Sequence, residues 1–339
     1  TNGKSTTTAL IGHILRQAGR DVAVGGNIGT AVMGLQPLPA GGIYVFELSS
    51  YQIEQTHSLA ADVAVLLNIT PDHLDRHGDM QGYAATKAHL FAMQKPSQTA
   101  IVALDDGYCR AIAKSVSARL IAVSGSKRVK DGVYVKDGAL IDARFGTPQT
   151  MSRQADWPAL IGVHNAQNAA AAAAAALALG VDAAAIDRGL RSFAGLAHRL
   201  QPVARWRGIR FINDSKATNT DAAATALASF DQPVRWIVGG RAKAKGLGAL
   251  RRQLGHVAKA YLVGEAAPLL GRLLAPHVPV LDCGNIARAV EAAAMDCGQQ
   301  GGIVLLAPAC ASFDQYADFE ARGDAFKAAV QDWIEGADA

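Results

Sequence analysis

The chain opens Thr1-Asn2-Gly3-Lys4-Ser5-Thr6-Thr7 and runs directly into an amphipathic stretch of helical period. Gly-Lys-Ser/Thr at a helix N-terminus is the second half of a phosphate-binding loop. The glycine lets backbone N–H groups approach phosphate oxygens, the lysine reaches the β- and γ-phosphates, and the hydroxyl ligates magnesium. Alone the motif is short enough to occur by chance around a solvated lysine. A second group stands at Glu47-Leu48-Ser49-Ser50-Tyr51-Gln52, where the apolar run Ile43–Leu48 ends. A carboxylate at the carboxyl end of a parallel strand points into the crevice where open α/β sheets bind ligands. Beside a phosphate loop Glu47 suits a magnesium ion, which takes oxygen ligands and bridges phosphates; a turn or capping carboxylate is the structural alternative. A third group, Asn68-Ile69-Thr70-Pro71-Asp72-His73-Leu74-Asp75-Arg76, follows the run Val63–Asn68. Its acid and imidazole could hold a second metal or orient an attacking group. Lys87, on a predicted helix Tyr83–Met93, reads by itself as a lysine on a solvated face.

Three more polar clusters follow apolar runs later in the chain. Ile209–Asn213 leads into Asp214-Ser215-Lys216-Ala217-Thr218-Asn219, which is either a compact polar site or the cap of a helix Asp221–Ala228. Val234–Val238 leads into Gly239-Gly240-Arg241-Ala242-Lys243-Ala244-Lys245, where paired glycines and three cations suit an anionic substrate. Ile303–Leu306 leads into Pro308-Ala309-Cys310-Ala311-Ser312-Phe313-Asp314-Gln315, small residues that let backbone N–H groups face a carboxylate. Cys310 has no histidine near it in sequence and reads as core packing.

The elements that must position these groups alternate. Short β-branched runs (Val22–Val24, Ala100–Leu104, Leu120–Val123, Ala260–Val263 and Val278–Leu281 beside those already named) are separated by helical stretches such as Thr6–Ala18, Asn168–Leu179 and Phe319–Ile334. That pattern predicts an α/β chain with mostly parallel sheets covered by helices. Val129–Pro148 departs from it, with Asp131-Gly132 and Asp137-Gly138 between β-rich stretches, and predicts a small antiparallel excursion closing a first domain. Eight consecutive alanines, Ala169–Ala176, predict a helix packed closely on its neighbours and stopped by Gly180. Phe193–Arg199 reads as a hinge, which sets domains at 1–197 and 198–339.

Bulk properties bound the functions available. The 339 residues carry a formal charge of +4, and no block of like charges stands out, so nucleic acid is not the expected partner. Cys109, Cys283, Cys297 and Cys310 are scattered without a CxxC, which suits reduced thiols in a cytoplasm. The longest apolar run, Ala169–Leu179, is too short to span a bilayer. No signal peptide is visible, and a chain that starts inside its own phosphate motif reads as a fragment whose front is missing.

Taken in order, these segments resemble the Mur ligase superfamily, and within it the branch that adds D-glutamate. The match runs through Asn2–Thr6, Gly26-Asn27-Ile28-Gly29, Glu47–Gln52, Asn68–Asp75, His164-Asn165-Ala166-Gln167-Asn168, His198-Arg199, Asn213–Asn219, Gly239-Gly240 and Ala309–Gln315. Phe319, Arg322 and Gly323 extend it. The resemblance implies an enzyme of three domains, an N-terminal UDP-binding domain, a central ATPase domain with a P-loop and a C-terminal Rossmann-like domain for the amino acid, of which this sequence would hold the second and third; without the first, little or no ligase turnover is expected of residues 1–339 alone. It implies ATP-dependent addition of D-glutamate to UDP-N-acetylmuramoyl-L-alanine through an acyl phosphate, releasing ADP and phosphate, in peptidoglycan-precursor synthesis. Two magnesium ions, small-molecule substrates, no nucleic acid, no membrane insertion and a monomer go with that activity.

By motif match, Asn2, Gly3, Lys4, Ser5 and Thr6 would hold ATP, with Asn168, Arg199 and Asp214 as further nucleotide contacts. Ser5 and Glu47 would ligate one magnesium, and His73 with Lys87 as a carbamate a second. Asn27 and Ser49 would touch the muramoyl substrate, and Lys216, Thr218, Lys243, Ser312 and Phe319 would hold D-glutamate. The catalytic set implied is Lys4, Glu47, His73 and Lys87. The chain departs from the family pattern at Arg241 and Gly246, where an acidic residue is usual, and at Ala307, where serine is common. A folylpolyglutamate-type ligase, or a nucleotide-binding module without catalysis, are the alternatives the residues leave open.

Overall fold

The structure is a computed structural model that describes residues 1–243 and 246–338, with the side chains of Asp75 and Gln299 outside the described set. Ala244 and Lys245, the last of the three expected cations, therefore fall outside it. The chain forms two compact units, Thr1–Phe193 and Ala194–Ala339.

In the first unit, helix α1 (Lys4–Gln17) follows the opening motif at once, and β1 (Val22–Gly26) pairs parallel with β2 (Ile43–Glu47). Helix α2 (Ser50–Glu54) separates β2 from β3 (Val63–Leu66). Helices α3 (Leu74–His77) and α4 (Met80–Ala92), strand β4 (Thr99–Ala103), helix α5 (Gly107–Ala113) and strand β5 (Arg119–Ser124) continue the alternation. Then come β6 (Gly132–Lys136), β7 (Ala139–Asp142), β8 (Gln149–Arg153) and helices α6 (Val163–Ala178) and α7 (Ala183–Ser192). Strands β3 to β8 lie side by side in sequence order in one sheet.

Of the two Asp-Gly pairs, only Asp137-Gly138 turns a hairpin. Both residues have positive φ, as the tight turn between β6 and β7 requires. Asp131-Gly132 instead leads into β6, which pairs parallel with β5, so the antiparallel strands extend the main sheet rather than leaving it. Helix α6 starts at Val163, five residues ahead of the sequence expectation. Its eight alanines are fully buried, at most 2% exposed, and lie in the core with Leu10, Ile14, Ile101, Val123 and Ile186. Methyl-sized side chains let the helix axis approach the sheet closely, and that brings its N-terminal polar residues against the strand ends.

The second unit holds β9 (Gln201–Trp206), β10 (Ile209–Asn213), α8 (Thr220–Leu227), β11 (Val234–Gly239) and a 3₁₀ segment Gly248–His256. It continues with β12 (Val257–Val263), α9 (Ala267–Leu274), β13 (Val280–Gly284), α10 (Ile286–Met295), β14 (Gly302–Leu306) and α11 (Phe319–Asp338). Its sheet order is β13-β12-β11-β14-β10-β9, parallel except for the antiparallel edge strand β9. The last strand, β14, inserts between β10 and β11. Strand order therefore reverses at the centre, and the carboxyl ends of β10, β14 and β11 flank that switch point, where open α/β sheets bind ligands.

Candidate functional site

In the first unit Gly3 caps α1 with φ 83, in the left-handed region, and its carbonyl accepts from Thr7 N–H at 2.9 Å. A Cβ at Gly3 would also lie 2.2 Å from Asn168 Oδ1, so only glycine fits between this turn and α6. Asn168 itself is buried beneath the loop and donates from Nδ2 to Asn165 Oδ1 at 3.0 Å. Lys4 Nζ donates to the Thr1 carbonyl at 2.9 Å, which folds the ammonium back over the loop. Ser5 and Thr6 stand on the first turn of α1, half-buried.

Glu47, the last residue of β2, is 3% exposed. Its Oε1 accepts from Asn27 Nδ2 at 3.2 Å, while Oε2 is buried without a hydrogen-bond partner. A buried carboxylate oxygen without a donor costs free energy, of order 1–3 kcal/mol, unless a cation or proton meets it. The donor set fits magnesium: one buried carboxylate and a helix-terminal hydroxyl are what that ion takes from protein when phosphates supply the rest. Asn27 also donates its backbone N–H to the Glu47 carbonyl at 2.8 Å, so the strand ends of β1 and β2 present these two side chains together. Ser49 is committed differently. It caps α2 in a reciprocal box with Gln52, accepting from Gln52 N–H and donating its hydroxyl to Gln52 Oε1 at 3.0 Å.

Lys87 overturns the reading made from its own position. It is 4% exposed, with Nζ 4.6 Å from the centre of the Tyr83 ring, because α4 turns that face inward on the sheet rather than to solvent. Burial, with the Lys4 charge nearby, pushes its amine down to about 8. A substantial neutral fraction near pH 8 is what addition to carbon dioxide requires, so the residue fits the carbamate expectation. His73 is exposed, in left-handed conformation at the start of α3. Its Nδ1 lies 3.2 Å from the Tyr51 hydroxyl and its Nε2 3.6 Å from Asp72. The aromatic contacts Tyr51–His77 and His77–Tyr83 connect its surroundings to those of Lys87. The residue types could not have shown this wall; only the i, i+4 spacing of Tyr83 and Lys87 hinted at it.

A cavity of about 430 Å³ has Thr1, Lys4, Glu47 and Lys87 in its lining. The rest of its wall is mostly apolar, contributed by all of 42–48 and 61–67. Among the described residues β2 pairs with β1 and β3 with β4 and neither has a second partner strand, so the cavity is a slot between two strand edges with the chemical groups at the carboxyl end. Ser49 and His73 do not line it.

In the second unit the three polar clusters converge. Asp214 N–H donates to the Leu306 carbonyl, Ala309 N–H to Ala217, Gly239 N–H to Pro308, and Arg241 and Ala311 exchange both backbone bonds. Lys216 Nζ sits 3.7 Å over the centre of the Phe319 ring, and Lys243 Nζ reaches Thr218 Oγ1 at 3.5 Å. Ser312 is buried among them and Arg199 is exposed. Asp214 is buried, and desolvation raises its carboxyl to about 7, against the opposing Leu200 N–H and Arg199 charge. Arg241, the departure from the family pattern, pairs with Glu265 at 3.2 Å. Gly246 is described with open space around its Cβ position, and Ala307 is buried.

The sequence offers Arg322 only as the extension of a motif, with no sign of its structural role. Arg322 is 1% exposed and donates to Ser215 Oγ, Ser215 O and Cys310 O at 3.0, 2.9 and 3.1 Å, joining the loops after β10 and β14. Among the described residues no group of three or more His, Cys, Asp or Glu is arranged to hold a metal. No described helix is long and apolar enough to cross a membrane.

The Mur ligase middle domain matches residues 1–176, and the Mur ligase glutamate ligase domain matches 198–310. UDP-N-acetylmuramoylalanine–D-glutamate ligase of Caulobacter sp. strain K31 is 50% identical over 339 residues, covering 97% of this chain and 71% of the relative. That of Sphingopyxis alaskensis is also 50% identical, covering 98% and 72%. Among solved structures, a MurF ligase from Thermotoga maritima in complex with ADP aligns with TM-score 0.69 at 17% identity, over 98% of this chain and 79% of that one, a likeness of fold. With two domain families matched along its length and half its residues shared with these ligases, the chain belongs to the Mur ligase family.

Proposed function

We propose that this chain carries the chemistry of an ATP-dependent ligase that joins D-glutamate to UDP-N-acetylmuramoyl-L-alanine. The observation that carries the reading is the buried Glu47 carboxylate, with one oxygen unpartnered, lining the same cavity end as Lys4 and Lys87. That arrangement has no packing rationale and suits phosphoryl transfer, where positioning and charge neutralisation do most of the work.

In this reading residues 1–197 form the ATP-binding ligase domain and 198–339 the amino-acid domain. Asn2, Gly3, Lys4, Ser5 and Thr6 cradle the ATP phosphates, with Asn168, Arg199 and Asp214 as nucleotide contacts. Ser5 and Glu47 hold one magnesium, and His73 and carbamylated Lys87 a second; the ions supply charge neutralisation at the phosphates. Asn27 and Ser49 orient the muramoyl substrate. Its carboxylate oxygen attacks the γ-phosphorus, ADP leaves, and an acyl phosphate results. The D-glutamate amine then attacks the acyl carbon, and the tetrahedral intermediate expels phosphate as the amide forms. Lys216, Thr218, Lys243, Ser312 and Phe319 hold D-glutamate through its carboxylates. The protein acts on small molecules, as a monomer in the cytoplasm, consistent with four buried, unpaired cysteines.

A folylpolyglutamate-type ligase shares the fold, as the likeness to FolC in complex with DHPP and ADP illustrates (TM-score 0.65, 20% identity). The deciding experiment measures phosphate release by the full-length protein with UDP-N-acetylmuramoyl-L-alanine and D- or L-glutamate, with and without bicarbonate. D-glutamate-dependent release, strengthened by bicarbonate and lost in Lys87→Ala, is expected. Preference for L-glutamate, or full turnover in Lys87→Ala, overturns the reading.

A further inference from the structure

We infer that Asp105, Gln167 and Asn68 form a positioning relay that fixes the backbone entering the phosphate loop. The inference rests on the reading of Lys4 and Ser5 as the nucleotide site and adds residues that touch neither nucleotide nor metal.

Asp105 lies just beyond β4, and its two carboxylate oxygens accept three hydrogen bonds. Oδ1 takes the Ser124 hydroxyl at 2.7 Å; Oδ2 takes Gly125 N–H at 3.2 Å and Gln167 Nε2 at 2.7 Å. A carboxylate only accepts, so Gln167 must present its amide nitrogen to Asp105 and its oxygen the other way. Gln167 Oε1 then accepts from Asn68 Nδ2 at 3.0 Å. That orients Asn68 in turn: Nδ2 also donates to the Asn2 carbonyl at 3.1 Å, while Oδ1 accepts from Asn2 N–H at 2.7 Å. Both peptide groups of Asn2 are gripped, one residue before Gly3, and the Asn68 carbonyl accepts from the Thr1 amine.

Polarity thus passes from one charged group through two amides to the loop backbone. Charge-assisted bonds at the start of such a chain are the stronger ones, and each link polarises the next. The backbone of Gln167 is packed against the loop after β5. A Cβ at Gly125 would lie 2.7 Å from Gln167 N and 2.9 Å from its Cβ, so the loop after β5 already touches α6 there. The anchors stand at the ends of β3, β4 and β5 and on α6, the rigid frame of the unit. A loop whose N–H groups must converge on phosphate binds more tightly when that ordering is done beforehand.

The test is calorimetric binding of ATP with magnesium to the intact chain, each variant compared with wild type at the same pH, and the unfolding midpoint followed alongside. Gln167→Leu removes the relay and is expected to weaken binding about tenfold. Gln167→Glu sets two carboxylates against each other: binding should be weak at pH 8 and recover toward wild type at pH 6, where a shared proton restores the donor to Asp105. A structural role alone would give no such pH reversal. Wild-type affinity in Gln167→Leu, or a Gln167→Glu deficit equal at both pH values, overturns the relay. Lys4→Ala run in parallel separates the two ideas: if it binds ATP as wild type does, the nucleotide reading itself fails.

Discussion

Asp214→Asn tests the second unit through its stability. The Asp214 carboxyl is buried at the end of β10 and raised from an ordinary 3.8 to about 7, chiefly by desolvation. Between those values the folded chain holds a proton that the unfolded chain has released. Stability therefore falls as pH rises from about 4 to about 7, the reverse of a salt-bridged aspartate. With these two values linkage gives roughly 2 to 3 kcal/mol lost between pH 5 and pH 8. For a unit of this size that is about 5 to 10 °C in the unfolding midpoint.

Asparagine keeps an oxygen for Leu200 N–H, which donates to Asp214 Oδ1 at 3.1 Å, and it does not titrate. Differential scanning calorimetry without nucleotide, at half-unit pH steps, should show the wild-type midpoint of the second unit falling relative to Asp214→Asn across pH 5 to 8. The difference between the two proteins isolates this one group, whatever else titrates. Parallel curves would refute the reasoning, because they would mean that the buried carboxyl is ionised throughout the range. The first unit should move in the opposite sense. Burial lowers His164 to about 4, so its contribution is present above pH 6.5 and lost as pH falls toward 4.

One further prediction concerns the first unit. Glu47→Gln should cost at least a hundredfold in magnesium-dependent turnover yet leave the unfolding midpoint unchanged or higher, because it removes a buried carboxylate oxygen that has no donor; a lower midpoint would mean that the charge is structurally compensated.

The strand ends were legible because short β-branched runs stop where polar residues begin, and a parallel sheet sends those ends to one side. Ile209–Asn213 coincides with β10, and the clusters after β10, β11 and β14 meet because β14 inserts between the other two. That insertion is long-range pairing, which local pattern does not encode. Lys87 was misread for the same reason. Helical spacing gives a face, but only the packing of α4 decides that this face is inward. The two Asp-Gly pairs look alike in sequence, yet only one lies between strands that pair antiparallel. Ser49 marks a different limit: its capping box with Gln52 is readable from spacing alone, but what else meets its hydroxyl is not.

How the second unit holds its cations bears on what it binds. A cation paired with a carboxylate has its charge neutralised locally, as Arg241 has with Glu265. Two of the cations at the convergent loops are fixed by neutral groups, the Thr218 hydroxyl for Lys243 and the Ser215 and Cys310 oxygens for Arg322. Burial lowers Arg322 only to about 10, so its guanidinium stays charged at neutral pH. Neutral partners position a cation without cancelling its field. Two positive groups held in this way, with the Lys216 ammonium over the Phe319 ring beside them, favour a ligand with more than one carboxylate, and they disfavour a neutral amino acid of the same size. Replacing Lys216 with methionine should therefore raise the KM for D-glutamate far more than it lowers kcat; an unchanged KM would remove Lys216 from the amino-acid site.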